Sequence, residues 1–558
     1  MFLRNLRPFV LSIIVALSIA SCSLFDDVTY TVTPSPLEAH GDSVRVSITG
    51  TVPEKSINKS AVADVTPVIR WEGGERALKT VTVQGEKAPS NGIVINSKNG
   101  GNFSYSDVVA YTPNMMKSEL FVTASAGKGT KRKELGESKI ADGVVATPYL
   151  VEMDYKAIMG KDAFQRIITE RSSATINYLV NSPVVRSTEL KDIDMKEWDA
   201  LLKDIAKNER LEAKKMDIEA YASPEGEVER NDKLSTGRAE SAKKTTDGMI
   251  KKAKMNSLEG SYTDKGLGED WSGFRKLLEA SSIEDKALII RILETYSDVN
   301  QREKEMKNLS KTYTEIADQI LPKLRRAEMV LSYDVIGYSD EELVTISMAN
   351  PDTLKLEELL YSAPLHADEA AQLSVYKNAE ARFTDDYRAA NNIGAIYFAQ
   401  GKMTEAESQF KKAAAIQKNA TTSNNTGIFL HKAGDRKKSA EAFREGLSAG
   451  TEAAYNLGIV NIQNGDYDKA VSNFKGYDSV NSALAALLNG DAASASNILD
   501  RSEEGDSAKA HYLRAVIAAR GSDNAGVNSH LKTAISKDAS LQERAMKDAE
   551  FLGMTLSF

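Results

Sequence analysis

One pattern near the end of the chain narrows the possible folds more than any other. Asn392-Ile393-Gly394-Ala395-Ile396-Tyr397, followed by Gly401, Ala406, Phe410 and Ala413, sets small residues where paired helices would touch and large ones where they would interlock. Gly427, Gly434 and Phe443 restate it, with Gly427 lying 33 residues after Gly394. Tyr455-Asn456-Leu457-Gly458, Gly465, Ala470 and Phe474 restate it again, with Gly458 lying 31 residues after Gly427. Weaker copies follow near Ala483–Leu499 and His511–Ala534. A two-helix unit cannot bury its own apolar face, and about three stacked units are needed to share a continuous core. Residues 346–558 are therefore expected to form an α-solenoid.

The small-and-large pattern resembles the tetratricopeptide repeat. That resemblance implies a concave face that binds an extended peptide or a partner helix, which makes protein partners the expected ligands. Asn391, Asn392 and Tyr397 lie on the helix that would line such a groove, Asn424 and Asn425 recur in the second repeat, and Asn456 in the third. Side-chain amides both donate and accept, so they can clamp a main chain without regard to its sequence. Asparagine also caps helices, and both roles stay open at this stage.

The other end of the chain reads as an export signal. Arg4 and Arg7 precede an apolar run from Phe9 to Ile19, followed by Ala20 and Ser21. The run is about half of what a bilayer-spanning helix requires. Residues 1–21 are read as a signal peptide, and Ile19-Ala20-Ser21-Cys22 resembles a bacterial lipobox, which implies that Cys22 is acylated and becomes the mature N-terminus. Cys22 is the sole cysteine, so no internal disulfide or thiolate metal cluster can form. Multiple acyl chains, at about 0.8 kcal/mol per buried methylene, anchor a protein without a spanning helix. Ser23 does not resemble an inner-membrane retention signal, which favours the outer membrane. Asp26-Asp27 loosely resembles the acidic tract of surface-exposed Bacteroidetes lipoproteins, so both faces of that membrane stay open.

Between about 22 and 147 the texture is all-β. Tyr30–Val32, Val44–Ile48, Val65–Trp71, Thr80–Val83 and Leu120–Ala124 alternate or run apolar at strand length, separated by Gly-Asp, Gly-Gly and Pro-Ser turn signals. About seven such runs fit a β-sandwich.

Residues 148–345 read as an α/β module. Thr175–Asn181 and Lys215–Ala220 have strand character, and Trp198, Leu201, Leu202 and Ile205 share a helix face. After the Ser223-Pro224-Glu225-Gly226 turn, the run Asn231-Asp232-Lys233-Leu234-Ser235-Thr236-Gly237-Arg238-Ala239 resembles the signature of the OmpA-like, peptidoglycan-associated family. Asn231, Leu234, Ser235, Arg238 and Ala239 stand in register with it. The resemblance implies peptidoglycan as a ligand, with Arg238 receiving a diaminopimelate carboxylate through two parallel hydrogen bonds. The chain departs from the pattern where the family's acid falls on Ser223, because a hydroxyl cannot neutralise the ligand's ammonium group. Glu225 is either a substitute from the same turn or a solvent-facing turn residue. Arg238 has an alternative too, an ion pair with Glu219 or Glu240. A helical insertion from Trp271 to Glu328 precedes the last strand, Met329–Val335.

Little marks a catalyst. His40, His366, His431, His511 and His530 are dispersed, and none pairs with another at helical spacing, so no metal site is expected. His431 and His511 fall on repeat helices, where a packing role is expected. The adjacent acids Glu269-Asp270 rarely converge on one substrate. A net charge of −8 without a basic stripe argues against a nucleic-acid partner. The sequence thus predicts a three-module outer-membrane lipoprotein without cofactor or metal, acting as a non-catalytic adaptor for envelope proteins; the alternative is a peptidoglycan tether.

Overall fold

A computed structural model describes residues 24–255, 258 and 261–558, so the signal peptide and Cys22 lie outside the described residues. The described residues divide into two compact units, one made of those up to 161 together with 376–558 and the other of those within 162–375.

The first unit begins with strands β1 (Thr29–Thr33), β2 (Leu37–His40), β3 (Ser43–Val52), β4 (Val62–Trp71), β5 (Gly74–Ala77), β6 (Val81–Gly85), β7 (Ile93–Ile95), β8 (Gly101–Ala110), β9 (Ser118–Gly127), β10 (Lys133–Asp142) and β11 (Val144–Val145). One sheet has the order β1-β3-β2-β11 with β8 against β3, and the other β10-β9-β4-β6-β7 with β5 against β4. Val44, Val46 and Ile48 alternate inward from β3, Tyr105 and Val109 from β8, and they meet Ile69 of β4 and Leu120 of β9 in one core. Period-two alternation thus buries one face of each sheet against the other.

The second unit holds β12 (Ile167–Asn177), α1 (Ile193–Ile205), β13 (Leu211–Ala222), α2 (Val228–Ala253), β14 (Tyr262–Glu269) and, after an insertion, β15 (Arg326–Ile336). The sheet order is β12-β15-β13-β14, with β13 and β14 parallel and β15 antiparallel to both its neighbours. Trp198, Leu202, Ile218, Ala239 and Met329 share its core. The insertion forms α3 (Trp271–Ala280), α4 (Lys286–Thr295), α5 (Val299–Asn308), α6 (Ser310–Gln319) and α7 (Leu321–Leu324) around a separate core of Phe274, Ile289, Met306 and Leu321. Helices α8 (Asp340–Ala349) and α9 (Leu356–Ser362) also belong to this unit, and α10 (Glu369–Arg382) carries the chain into the next.

The first unit resumes as helical hairpins: α11 (Tyr387–Ala399) with α12 (Met403–Ile416), α13 (Ala420–Lys432) with α14 (Arg436–Gly446), α15 (Thr451–Asn464) with α16 (Tyr467–Asn473), α17 (Val480–Leu488) with α18 (Ala492–Arg501), and α19 (Ala508–Arg520) with α20 (Asn524–Lys537), then α21 (Ser540–Lys547). The repeat residues do what their sizes allow. A β-carbon at Gly394, Gly427 or Gly458 would come within 2.8, 2.8 and 2.7 Å of the rings of Phe410, Phe443 and Phe474, so each hairpin closes on the absence of a side chain.

The sandwich packs on these hairpins within the same unit. Asp42 pairs with Arg436 at 2.7 Å, the His40 ring meets Tyr467 edge-on at 5.3 Å, and Arg544 donates to the Ala146 carbonyl at 3.1 Å. Residues 148–161, placed with the α/β module by sequence, belong instead with the hairpins. Their apolar side chains Leu150, Val151 and Tyr155 enter the solenoid's core, and no sheet takes them up.

Candidate functional site: an asparagine ladder in the helical repeats

The first helix of each of four successive hairpins carries an asparagine at the same place: Asn392 on α11, Asn425 on α13, Asn456 on α15 and Asn481 on α17. All four are at most 1% exposed. A buried primary amide costs free energy unless its oxygen and both hydrogens find partners. Here they find the main chain of residues 152–160.

Asn481 accepts from the Glu152 N–H at 2.8 Å and donates to its carbonyl at 2.9 Å. Asn456 does the same at Lys156, at 2.8 Å in both directions, and Asn425 at Ile158, again at 2.8 Å both ways. Asn392 closes on Gly160 at 2.6 and 3.0 Å. One side chain can satisfy both groups of a single residue only when the backbone is extended. The two-residue steps from 156 to 158 to 160 then match one repeat each, running opposite to the repeat order.

A second rank supports the first. Asn391 donates to the Ile158 carbonyl at 2.9 Å and Asn424 to the Lys156 carbonyl at 3.1 Å. Asn425 donates to the Asn391 oxygen at 2.8 Å, and Asn456 to the Asn424 oxygen at 3.0 Å, so the amides also fix one another's orientation. Each member is satisfied, the condition under which a buried polar network rigidifies a structure.

Side chains of the segment lock its register. The Tyr155 ring stacks on Phe443 with centroids 6.1 Å apart, and its hydroxyl meets Nδ1 of His431 at 2.6 Å. Nε2 of His431 lies 2.6 Å from the Gln463 side-chain oxygen, which requires Nε2 to carry the proton and leaves Nδ1 to accept from the tyrosine. Burial holds His431 below its ordinary value of 6.5, with nearby Arg436 acting in the same direction and Gln463 against it. Asp154 accepts from the Tyr455 hydroxyl and, at 2.7 Å, from Asn481; burial pushes its carboxyl up from the usual range, against Tyr455 and Lys156. The Lys156 ammonium lies 4.4 Å from the centre of the Tyr455 ring. At the far end a β-carbon on Gly160 would lie 2.9 Å from Arg388 side-chain carbon, so the close approach needs glycine.

Of the groove residues expected from sequence, Asn391, Asn392, Asn425 and Asn456 come together in this ladder. Tyr397 does not join it; its ring is flanked by the ammonium groups of Lys377 and Lys402 at 5.8 and 5.6 Å. Asn481, Tyr455 and His431 escaped as groove residues. Asn481 lies 25 residues after Asn456, short of the repeat spacing, and nothing in the sequence marks Val151–Gly160 as their ligand.

The turn that the OmpA-like resemblance singled out has a different construction. Arg238 is 1% exposed and donates to three main-chain carbonyls, those of Tyr221 at 2.8 Å, Ser182 at 3.2 Å and Leu179 at 3.3 Å. The guanidinium is therefore turned to the protein's own backbone and not to Glu219 or Glu240. Burial pushes its pKa down to about 10. Glu225 is half-buried and bound within the protein. It accepts from the Ser223 hydroxyl at 2.7 Å and from Arg325 at 2.7 and 3.0 Å. Asn231 donates to the Glu225 carbonyl at 3.2 Å and to Glu269 at 2.7 Å. Glu303, from the inserted α5, accepts from the Gly226 N–H at 3.1 Å. The insertion, ending at Arg325, thus supplies the groups that occupy this turn.

Among the described residues, no three His, Cys, Asp or Glu side chains are grouped as for a metal ion, and no helix is long and apolar enough to cross a membrane.

Comparison with known proteins places the repeats and little else. A tetratricopeptide repeat family matches residues 388–421. Solved structures resembling the chain include a tetratricopeptide repeat protein from Parabacteroides merdae, 14% identical over 44% of this chain and 98% of that one, with a TM-score of 0.28. YrrB, described as a TPR protein with an unusual peptide-binding site, is 19% identical over 38% and 100% with a TM-score of 0.23. PilW, a type IV pilus biogenesis factor, is 17% identical over 38% and 96% with a TM-score of 0.25. No curated protein matches. Given the family match and the hairpins that repeat its packing, the C-terminal part of the chain carries tetratricopeptide repeats.

Proposed function

We propose that this protein is a non-catalytic scaffold of a bacterial envelope, acylated at Cys22, carried on the outer membrane by that lipid, and gathering protein partners around its helical repeats. The observation that carries the scaffold is the stack of tetratricopeptide hairpins, along which the asparagine ladder holds extended main chain whatever its side chains. In this molecule the ladder holds the protein's own Glu152–Gly160, which fastens the sandwich's exit to the repeats and gives partners one preformed body to meet. The anchor is supported by the lone cysteine directly after an apolar run of signal-peptide length. Arg238 is satisfied by carbonyls, so nothing in its surroundings favours the peptidoglycan tether.

Tagged full-length protein solubilised from membranes should bring down a reproducible set of envelope proteins, and should not co-sediment with purified sacculi. The Cys22→Ser form should leave the membrane fraction. Recovery of no protein beyond an untagged control would overturn the scaffold, and sedimentation with sacculi lost on Arg238→Ala would restore the tether.

A further inference from the structure

We propose that Met153–Met159, held along one edge by the asparagine ladder, offers its other edge to an extended segment of a partner protein, which pairs with it as an added β-strand. This names the kind of partner and rests on the scaffold reading above.

Parity carries the proposal. In an extended chain, successive residues point their N–H and C=O groups to opposite sides. The ladder takes both groups of Glu152, Lys156, Ile158 and Gly160. Met153, Tyr155, Ala157 and Met159 therefore turn theirs away from it. Among the described residues, none of these main-chain groups has a hydrogen-bond partner. Main-chain donors and acceptors are obligatory hydrogen-bonding groups, and a row of them at the repeat of a strand edge is matched by another extended backbone.

The side chains fit that role. Tyr155 pins the centre, so the edge is rigid before a partner arrives and little ordering entropy is lost on pairing. Met153 and Met159 flank it at 48% and 38% exposure, and unbranched thioethers adapt to varied neighbours. Asp154 and Lys156 turn to Tyr455, which leaves no charge at the centre of the edge for a partner to match. The expected ligand is thus an extended segment of low charge with apolar or β-branched side chains at alternate positions.

Ala157→Pro isolates the idea, because it deletes an outward N–H, uses none of the ladder's bonds, and asks of Lys156 only the extended backbone it already has. The measurement is residue-resolved hydrogen–deuterium exchange on full-length protein. The probe is a peptide of alternating threonine and valine with terminal lysines, and its control is the same peptide N-methylated at every second residue. In free protein the amides of residues 155, 157 and 159 should exchange at least tenfold faster than those of 156, 158 and 160. The plain peptide should slow them about tenfold and the methylated one should not. Ala157→Pro should keep the wild-type melting temperature and abolish that protection. Slow exchange of the odd-numbered amides without peptide, no protection at saturating peptide, or equal protection in Ala157→Pro would each overturn strand addition. If wild type and Ala157→Pro capture the same envelope proteins, the scaffold stands and the strand edge falls; if neither captures any, the scaffold falls whatever the exchange data report.

Discussion

At Asn456 a single fully buried amide carries two hydrogen bonds to Lys156 and a third to Asn424. Asn456→Ala leaves the Lys156 N–H unpaired, while its carbonyl keeps Asn424, and should destabilise the protein by about 1–3 kcal/mol in a denaturant titration. Asn456→Asp has the same shape but turns an oxygen towards the Lys156 carbonyl. Its loss should exceed that of alanine at pH 8 and shrink as the carboxyl takes a proton at lower pH. His431 gives the wild type a pH dependence of its own. It is held neutral below its ordinary 6.5, facing Tyr155 and Gln463 with Arg436 nearby. Above pH 6.5 folded and unfolded chains are both neutral there. As pH falls below 6.5 the unfolded chain takes up a proton that the folded one refuses, so stability declines, by at most about 1.4 kcal/mol per pH unit. Melting temperatures from pH 7.5 to 5.5 should fall more steeply for wild type than for His431→Gln, which hydrogen-bonds without titrating.

Among elements, β3 and the first three hairpins were legible because each has a pattern that burial enforces: a period of two in β3, and a glycine set against a phenylalanine in each of those hairpins. In the second unit Lys215–Ala220 lies inside β13 and Met329–Val335 inside β15, whereas the strand read at Thr175–Asn181 overlaps only the end of β12. What the sequence could not disclose was the partner of a polar residue. Arg238 stands at a motif position, yet its carbonyl partners belong to the loop after β12 and the end of β13, and backbone acceptors leave no trace in side-chain identity. The same holds for Glu225, whose partner Arg325 is 100 residues away. Arg325→Met removes that ion pair and leaves Glu225, itself about a quarter exposed, without its cation. After discounting for solvent screening the expected loss is roughly 1–3 kcal/mol. Glu225→Gln in the Arg325→Met background should recover part of it, since no unpaired carboxylate then remains; a double variant no more stable than the single one would mean that the two charges act independently.

Over the whole molecule, the sandwich and the repeats lie far apart in sequence but form one compact unit, and the asparagines record why. Their clamp was legible as an amide array able to hold main chain; its occupant was not, because such an array selects backbone geometry and no side-chain pattern identifies it. A ligand covalently joined to its own groove competes at an effective concentration of about millimolar when the tether is short and flexible. A free peptide spanning Leu150–Lys161 should therefore fail to bind intact protein below roughly that concentration. Replacing Val151–Gly160 by a Gly/Ser stretch of the same length weakens the competitor, which keeps its main-chain groups but has more conformational freedom to lose when it seats on the ladder. It also withdraws Val151, Tyr155 and Ile158 from the core, each contributing about 1.5–3 kcal/mol, so the variant should melt well below wild type. Added peptide should then bind it at concentrations that leave the intact protein unoccupied and raise its melting temperature towards wild type, read by fluorescence anisotropy and calorimetry. A scrambled peptide that keeps Tyr155's position should retain much of this rescue, since the ladder addresses main chain. A peptide with N-methyl groups at the positions of Lys156 and Ile158 should give none. Equal rescue by that methylated peptide would mean that apolar burial, with no part for the amides, seats the segment.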